Sequence, residues 1–309
     1  MTHIDFKTLI EKARWSNVGK STRRVFFNHL HQSIKERGYF HVDQMYGAGS
    51  GVLLKFDNIY FLLTANHVLL NNISDGFQNE SPFWISTHFQ PRWKTLADFM
   101  FPRRVWNISD VIAFDMPGVD PSDICLIELF QPIPSSSPDH YINIVDPLHD
   151  LLEYEQFFDG QFLIISGYPF RKNNFNFENP PDGFTHTTTN HRQSIPGVLR
   201  INNRNEMLIT YEFTDADVQH DFLNGMSGGV VFNVMPNIEE TKLAGINLSG
   251  GNNISRFYPS FAFANAISRY RDCECQIIDP TSHLTLDYPP SNLSVEEQEL
   301  LTLFWQSLL

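Results

Sequence analysis

The stretch Asn224-Gly225-Met226-Ser227-Gly228-Gly229 carries a serine among glycines, a pattern suited to one kind of chemistry. Glycine lets the backbone approach a reacting carbonyl closely, so that N–H groups can face the negative charge that develops on its oxygen. A serine hydroxyl is a weak nucleophile at neutral pH and needs a base beside it. Thr64-Ala65-Asn66-His67-Val68 offers that base, because an imidazole can take a hydroxyl proton near neutrality. Ser122-Asp123-Ile124-Cys125-Leu126-Ile127 offers a carboxylate at the head of an apolar run. There it can accept the other ring N–H, fix the tautomer and stabilise the imidazolium. The candidates are therefore Ser227 as nucleophile, His67 as base and Asp123 as its orienting carboxylate, with the N–H groups of Gly225 and Ser227 as oxyanion donors. That set performs acyl transfer.

Elements must hold these groups together across long intervals of chain. From about residue 47 to 278 the sequence runs in short β-rich segments broken by Gly, Pro, Asn and Asp, including 51–56, 60–64, 124–129, 161–166, 206–213, 229–233 and 242–248. The pattern predicts a mainly β protein, a sandwich or a barrel. A triad drawn from both halves favours two packed six-stranded antiparallel β-barrels with the cleft between them. The division expected is 1–45, a basic helical arm; 46–150, a first barrel with His67 and Asp123; 151–285, a second barrel with Ser227; and 286–309, a C-terminal helix. Apolar residues at helical spacing predict helices over 4–15 and 22–37, the latter from Phe26, Leu30 and Ile34. Ser294-Val295-Glu296-Glu297 has the form of a capping box and opens the last helix.

On these motifs the chain resembles the chymotrypsin-like, or trypsin-like, serine peptidases over roughly residues 46–280. TANHV is similar to the family's histidine motif, DICLI to its aspartate motif and NGMSGG to its serine motif, in the family's order. The resemblance implies a double β-barrel, peptide-bond hydrolysis through an acyl-enzyme and no cofactor. It also implies that Leu248, Ser249 and Gly250 pair with the substrate backbone, and that Asp221 either floors the primary specificity pocket or lies solvated on a loop. Met226 stands where secreted zymogens carry an aspartate that pairs with a freed N-terminus, so activation by that route is not expected. Thr214-Asp215-Ala216 resembles the segment before the serine loop in high-temperature-requirement proteases, with a longer interval, which suggests regulation by loop ordering. A latent protease-fold binding or sensing module and an esterase with the same triad are the alternatives. The α/β-hydrolase arrangement is disfavoured, since its triad runs Ser, Asp, His.

Composition narrows the remaining classes. With 22 Lys and Arg against 35 Asp and Glu the chain is acidic, which argues against nucleic acid as its principal partner. Residues 1–40 are locally basic, so that arm either docks on the acidic body or contacts a nucleic acid or a membrane. The partners expected are a protein substrate and a regulatory protein bound through this arm or the C-terminal helix. The 3 cysteines, Cys125, Cys273 and Cys275, give no disulfide framework. No run approaches the roughly 20 apolar residues of a membrane span, and no His and Cys spacing suggests a metal. These features predict a cytoplasmic protein with neither metal nor cofactor.

Overall fold

A computed structural model describes residues 6–28, 45–46, 49–70, 83–90, 98–114, 116–132, 137–144, 150–173, 175–178, 185–188, 190–211, 223–251 and 253–278, with 295 and 299. The chain opens with α1 (Phe6–Arg14) and α2 (Asn17–Lys20), the second capped by Ser16, whose hydroxyl accepts from the Gly19 N–H. The strands that follow form one sheet: β1 (Thr22–Asn28), β2 (Met45–Tyr46), β3 (Ser50–Phe56), β4 (Ile59–Ala65), β5 (Phe83–Ser86), β6 (Phe99–Met100), β7 (Pro102–Trp106), β8 (Ile124–Leu129) and β9 (Ile142–Asn143). Between β4 and β5 lies the short α3 (Asn66–Leu70).

A second group closes on itself. It contains β10 (Phe162–Gly167), β13 (Gln193–Ile201), β14 (Met207–Thr210), β15 (Val230–Asn233), β16 (Leu243–Gly251) and β17 (Ile254–Pro259), joined in the ring β10-β13-β14-β17-β16-β15. A separate hairpin pairs β11 (Phe175–Glu178) with β12 (Thr185–Thr188). After the barrel come α4 (Ser260–Ser268), which buries Ala262, Phe263, Ala266 and Ile267, and β18 (Cys275–Ile277).

The mainly β expectation holds, with one closed six-stranded barrel. The first group departs from the expected twin: its main path is β18-β7-β8-β4-β3-β1-β5-β6, with β2 paired to β1 and β9 to β3, and no ring closes among the described residues. Two memberships correct the anticipated division. β18 leaves the barrel half and pairs with β7, Cys275 facing Trp106. Residues 22–28 are strand rather than helix, lying between β3 and β5. The physical reason is burial on both faces: Val25, Phe26 and Phe27 are wholly buried and so are Arg23 and Arg24. A surface helix would leave one face in water. Residues 29–44, the expected remainder of that helix, lie outside the described residues, as does the C-terminal capping box apart from Val295 and, beyond it, Glu299.

Local sequence explains the hairpin that leads to the site. Asp57 and Asn58 join β3 to β4 with φ of 50° and 62°. This left-handed pair is what a tight two-residue hairpin requires, and Asp and Asn tolerate it. Tyr60 through Ala65 are all buried, so β4 is fixed in depth on both faces.

Candidate active site

Antiparallel pairing of β4 with β8 brings the first two candidates together. Ala65 faces Ile124 at the end of that ladder, so one step further the chain entering α3 lies beside the residue preceding β8. His67 is in α3, and Asp123 ends a single turn of 3₁₀-helix, Pro121–Asp123, whose start is capped by the Asp120 carboxylate accepting from the Ser122 N–H at 2.9 Å. The Ser122 hydroxyl and N–H hold the Asp120 carboxyl below its ordinary range. Asp123 Oδ1 accepts the His67 backbone N–H at 3.0 Å. Its two oxygens stand 2.9 and 2.8 Å from His67 Nδ1. With Nδ1 donating to the carboxylate, the neutral ring leaves Nε2 as its acceptor.

Ser227 comes from the barrel, just before β15. Gly228 N–H donates to the Asn247 carbonyl at 2.7 Å and Asn247 N–H to the Gly229 carbonyl at 2.8 Å, extending the β15–β16 ladder as far as the serine. Ser227 therefore lies opposite Leu248, at an irregularity in the pairing of β16 with β17 between Asn247 and Ser249. The Ser227 Oγ–H donates to the Leu248 carbonyl at 2.9 Å. The hydroxyl must give up that bond, by rotation of its O–H, to present the proton to an imidazole.

The glycines give the serine loop its shape. Gly225 and Gly228 have φ of 89° and 78°, a region that side chains other than glycine seldom adopt. A Cβ on Gly228 would also collide with the Ser50 carbonyl oxygen and the Thr64 hydroxyl. The Asn224 carbonyl accepts from Phe170 N–H at 2.8 Å, and the Met226 carbonyl accepts from Gly229 N–H at 3.0 Å. In a trans peptide the C=O and the next N–H point in opposite directions. Those two carbonyls thus direct the N–H groups of Gly225 and Ser227 away from Phe170 and Gly229. Among the described residues neither N–H donates to a protein acceptor.

His67, Asp123 and Ser227 line one open cleft of about 470 Å³ with Gly118, Val119, Asp120, Leu223, Asn224, Leu248, Ser249 and Gly250. No family model matches this chain, and neither does any curated protein. Among solved structures the chain is similar to human heparin binding protein, with 11% identity and a TM-score of 0.47 over 83% of this chain and 92% of that one. It is also similar to a thermostable serine protease, AL20, from an extremophilic microorganism, with 14% identity and a TM-score of 0.45 over 82% of this chain and 96% of that one.

Of the positions anticipated from sequence, the cleft gathers His67, Asp123, Ser227, Leu248, Ser249 and Gly250. Gly225 lies one residue from its wall. Asp221 and the segment from Thr214 to Ala216 fall outside the described residues. Cys125 is buried behind Asp123 and its thiol is pushed up to about 12 by burial and by the Asp123 charge, which makes it inert. Sequence reasoning missed the wall formed by Gly118, Val119 and Asp120, and it missed Ser50, which touches the serine loop from the other sheet. Local sequence marks Ser50 only as a small hydroxyl between Gly49 and Gly51 and says nothing of its partners.

Proposed function

We propose that this chain is a serine endopeptidase acting through an acyl-enzyme. The observation that carries the proposal is the Asp123 carboxylate at 2.8 Å from His67 Nδ1, on the same cleft as Ser227. Ser227 Oγ attacks a peptide carbonyl while its proton passes to His67 Nε2. The carbonyl oxygen becomes an oxyanion, which the N–H groups of Gly225 and Ser227 receive. The tetrahedral adduct expels the amine, which takes the proton back from His67, leaving an ester on Ser227. Water, deprotonated by the same imidazole, then attacks that ester and releases a carboxylic acid and free serine. Leu248, Ser249 and Gly250 edge the cleft beside the nucleophile and are proposed to pair with substrate backbone. Asp221 is proposed for the primary pocket.

A second reading, a latent module awaiting a partner, has the Ser227–Leu248 hydrogen bond in its favour. The arm and the C-terminal helix are the proposed handles for such a partner. Free Cys125, Cys273 and Cys275 support a reducing compartment such as the cytoplasm.

The deciding experiment is a fluorophosphonate probe on the full chain, read by intact mass. A single adduct that vanishes in Ser227→Ala and falls at least ~10³-fold in rate in His67→Ala is expected. An inert but folded wild type overturns the endopeptidase proposal in favour of the latent module.

A further inference from the structure

Four successive carbonyls of the serine loop each receive a hydrogen bond from a fixed donor. Asn224 O accepts from Phe170 N–H at 2.8 Å. Gly225 O accepts from the Ser50 hydroxyl at 2.8 Å. Met226 O accepts from Asn247 Nδ2 at 3.2 Å as well as from Gly229 N–H. Ser227 O accepts from Ser50 N–H at 3.0 Å. Ser50 thus supplies two of the four, and it does so from the opposite sheet, since it opens β3. It is itself held: its hydroxyl accepts the Tyr168 N–H at 2.9 Å, and its carbonyl accepts the Thr64 hydroxyl at 2.7 Å. Ser50, Thr64 and Asn247 are buried, at 0%, 0% and 1% exposure.

Every peptide from 224 to 227 is therefore clamped at its oxygen: the Asn224 and Met226 oxygens set the N–H groups of Gly225 and Ser227, and Ser50 holds the two peptides that alternate with them, whose N–H groups, of Met226 and Gly228, donate to Leu223 O and Asn247 O. The donors are uncharged. Met226, wholly buried, adds no carboxylate to this set. We infer that Ser50 is a positioning residue for the oxyanion site of the endopeptidase proposed above, its hydroxyl and N–H holding the Gly225 and Ser227 carbonyls so that the loop is set before substrate arrives. Asn247, on the Met226 carbonyl, holds the peptide that bears the Ser227 N–H directly. Without the Ser50 hydroxyl the Gly225 carbonyl loses its cross-sheet donor and its peptide keeps only the Met226 N–H bond to Leu223 O, so the positive φ of Gly225, the joint to the neighbouring peptide that bears the Gly225 N–H, can relax. The cost falls on the transition state, because the misdirected N–H faces charge only then.

The inference rests on the endopeptidase reading, and its test uses the full chain with the fluorophosphonate probe, comparing Ser50→Ala with Thr64→Val. Thr64→Val removes an equally buried hydroxyl that reaches Ser50 but no carbonyl of the loop, so a merely structural role predicts equal effects. Expected is a fall on the order of 10²-fold in the limiting labelling rate of Ser50→Ala, with the half-saturating probe concentration within about twofold of wild type and Thr64→Val within about threefold in rate. Amide hydrogen exchange of the segment 224–229 is expected to quicken in Ser50→Ala alone. Equal labelling losses in the two variants, or a wild-type rate in Ser50→Ala, overturns the inference. Should Ser50→Ala not fold, Asn247→Ala carries the same comparison. A wild type inert to the probe defeats the endopeptidase instead; unchanged exchange at 224–229 in Ser50→Ala would then still defeat the role given to Ser50.

Discussion

Asp123 does two jobs with one carboxylate: it accepts the His67 main-chain N–H as well as the ring Nδ1, so it fixes both where the histidine begins and how its ring is turned. Asp123→Asn keeps the size and loses the charge, and its amide nitrogen has no lone pair to offer the ring. The ring is then driven toward the tautomer that blocks Nε2. Turnover or probe labelling in that variant is expected to drop by about 10⁴-fold, with the unfolding midpoint in urea nearly unchanged. A loss below tenfold would remove Asp123 from the mechanism. The three residues proposed for the chemistry could be picked out because of their neighbours: a glycine-flanked serine, a histidine after an apolar strand and an aspartate before one. Ser50 was not legible, because what makes it matter is a contact with residues 225 and 227, and no local pattern announces a partner so far along the chain.

At the level of elements, the strands most easily read were those with uniform apolar character, such as β4 and β8. β1 was misread as helix, and its arginines explain the error. Arg23 is wholly buried, yet its guanidinium donates to the carbonyls of Lys20, Thr22, Ser86, Thr87 and His140 and pairs with Asp139 at 3.2 Å. Burial lowers its pKa to about 10. An interior that can satisfy a guanidinium so fully comes from three segments, two of them more than 60 residues away, which is long-range information, whereas the spacing of Phe26, Leu30 and Ile34 is short-range and favours helix. A similar logic governs β8. Glu128, 3% exposed, accepts from Arg103 at 3.2 Å and from Trp106 Nε1 at 3.1 Å, and lies 3.5 Å from Arg104. Removing it takes a counter-charge from Arg104 and the acceptor from the Trp106 indole N–H. Glu128→Ala is expected to cost about 3 kcal/mol in urea-monitored stability, while Glu128→Gln, which keeps an acceptor for Trp106, costs less. Equal values for the two would mean that the hydrogen bond contributes nothing.

For the whole molecule, the N-terminal region proves to be part of the framework. Arg192, at the start of the barrel's β13, donates to the carbonyls of Gly19 and Arg14, while its guanidinium lies 5.6 Å from the rings of both Trp15 and Phe89. Arg24 donates to Asn173 O at 2.7 Å, a second tie from β1 across to the barrel half. A chain beginning at residue 42 lacks β1, and with it the strand that separates β3 from β5. Circular dichroism of that shortened chain in urea is expected to show no cooperative transition, because two newly exposed strand edges favour association over folding. A cooperative transition matching the full chain would show that β1 is dispensable.

The pairing of β18 with β7 has a consequence in time. Cys275–Ile277 completes the edge of a sheet whose other members all lie before residue 144, so this contact spans more than half the chain and is among the last that synthesis makes available. Ser227 has already emerged by then. A nascent chain accordingly carries His67, Asp123 and Ser227 while its first sheet still lacks a border, and that sheet is complete only once residues 275–277 have followed. Slow elongation between Ser227 and β18 would lengthen that unfinished interval, and fast elongation would shorten it.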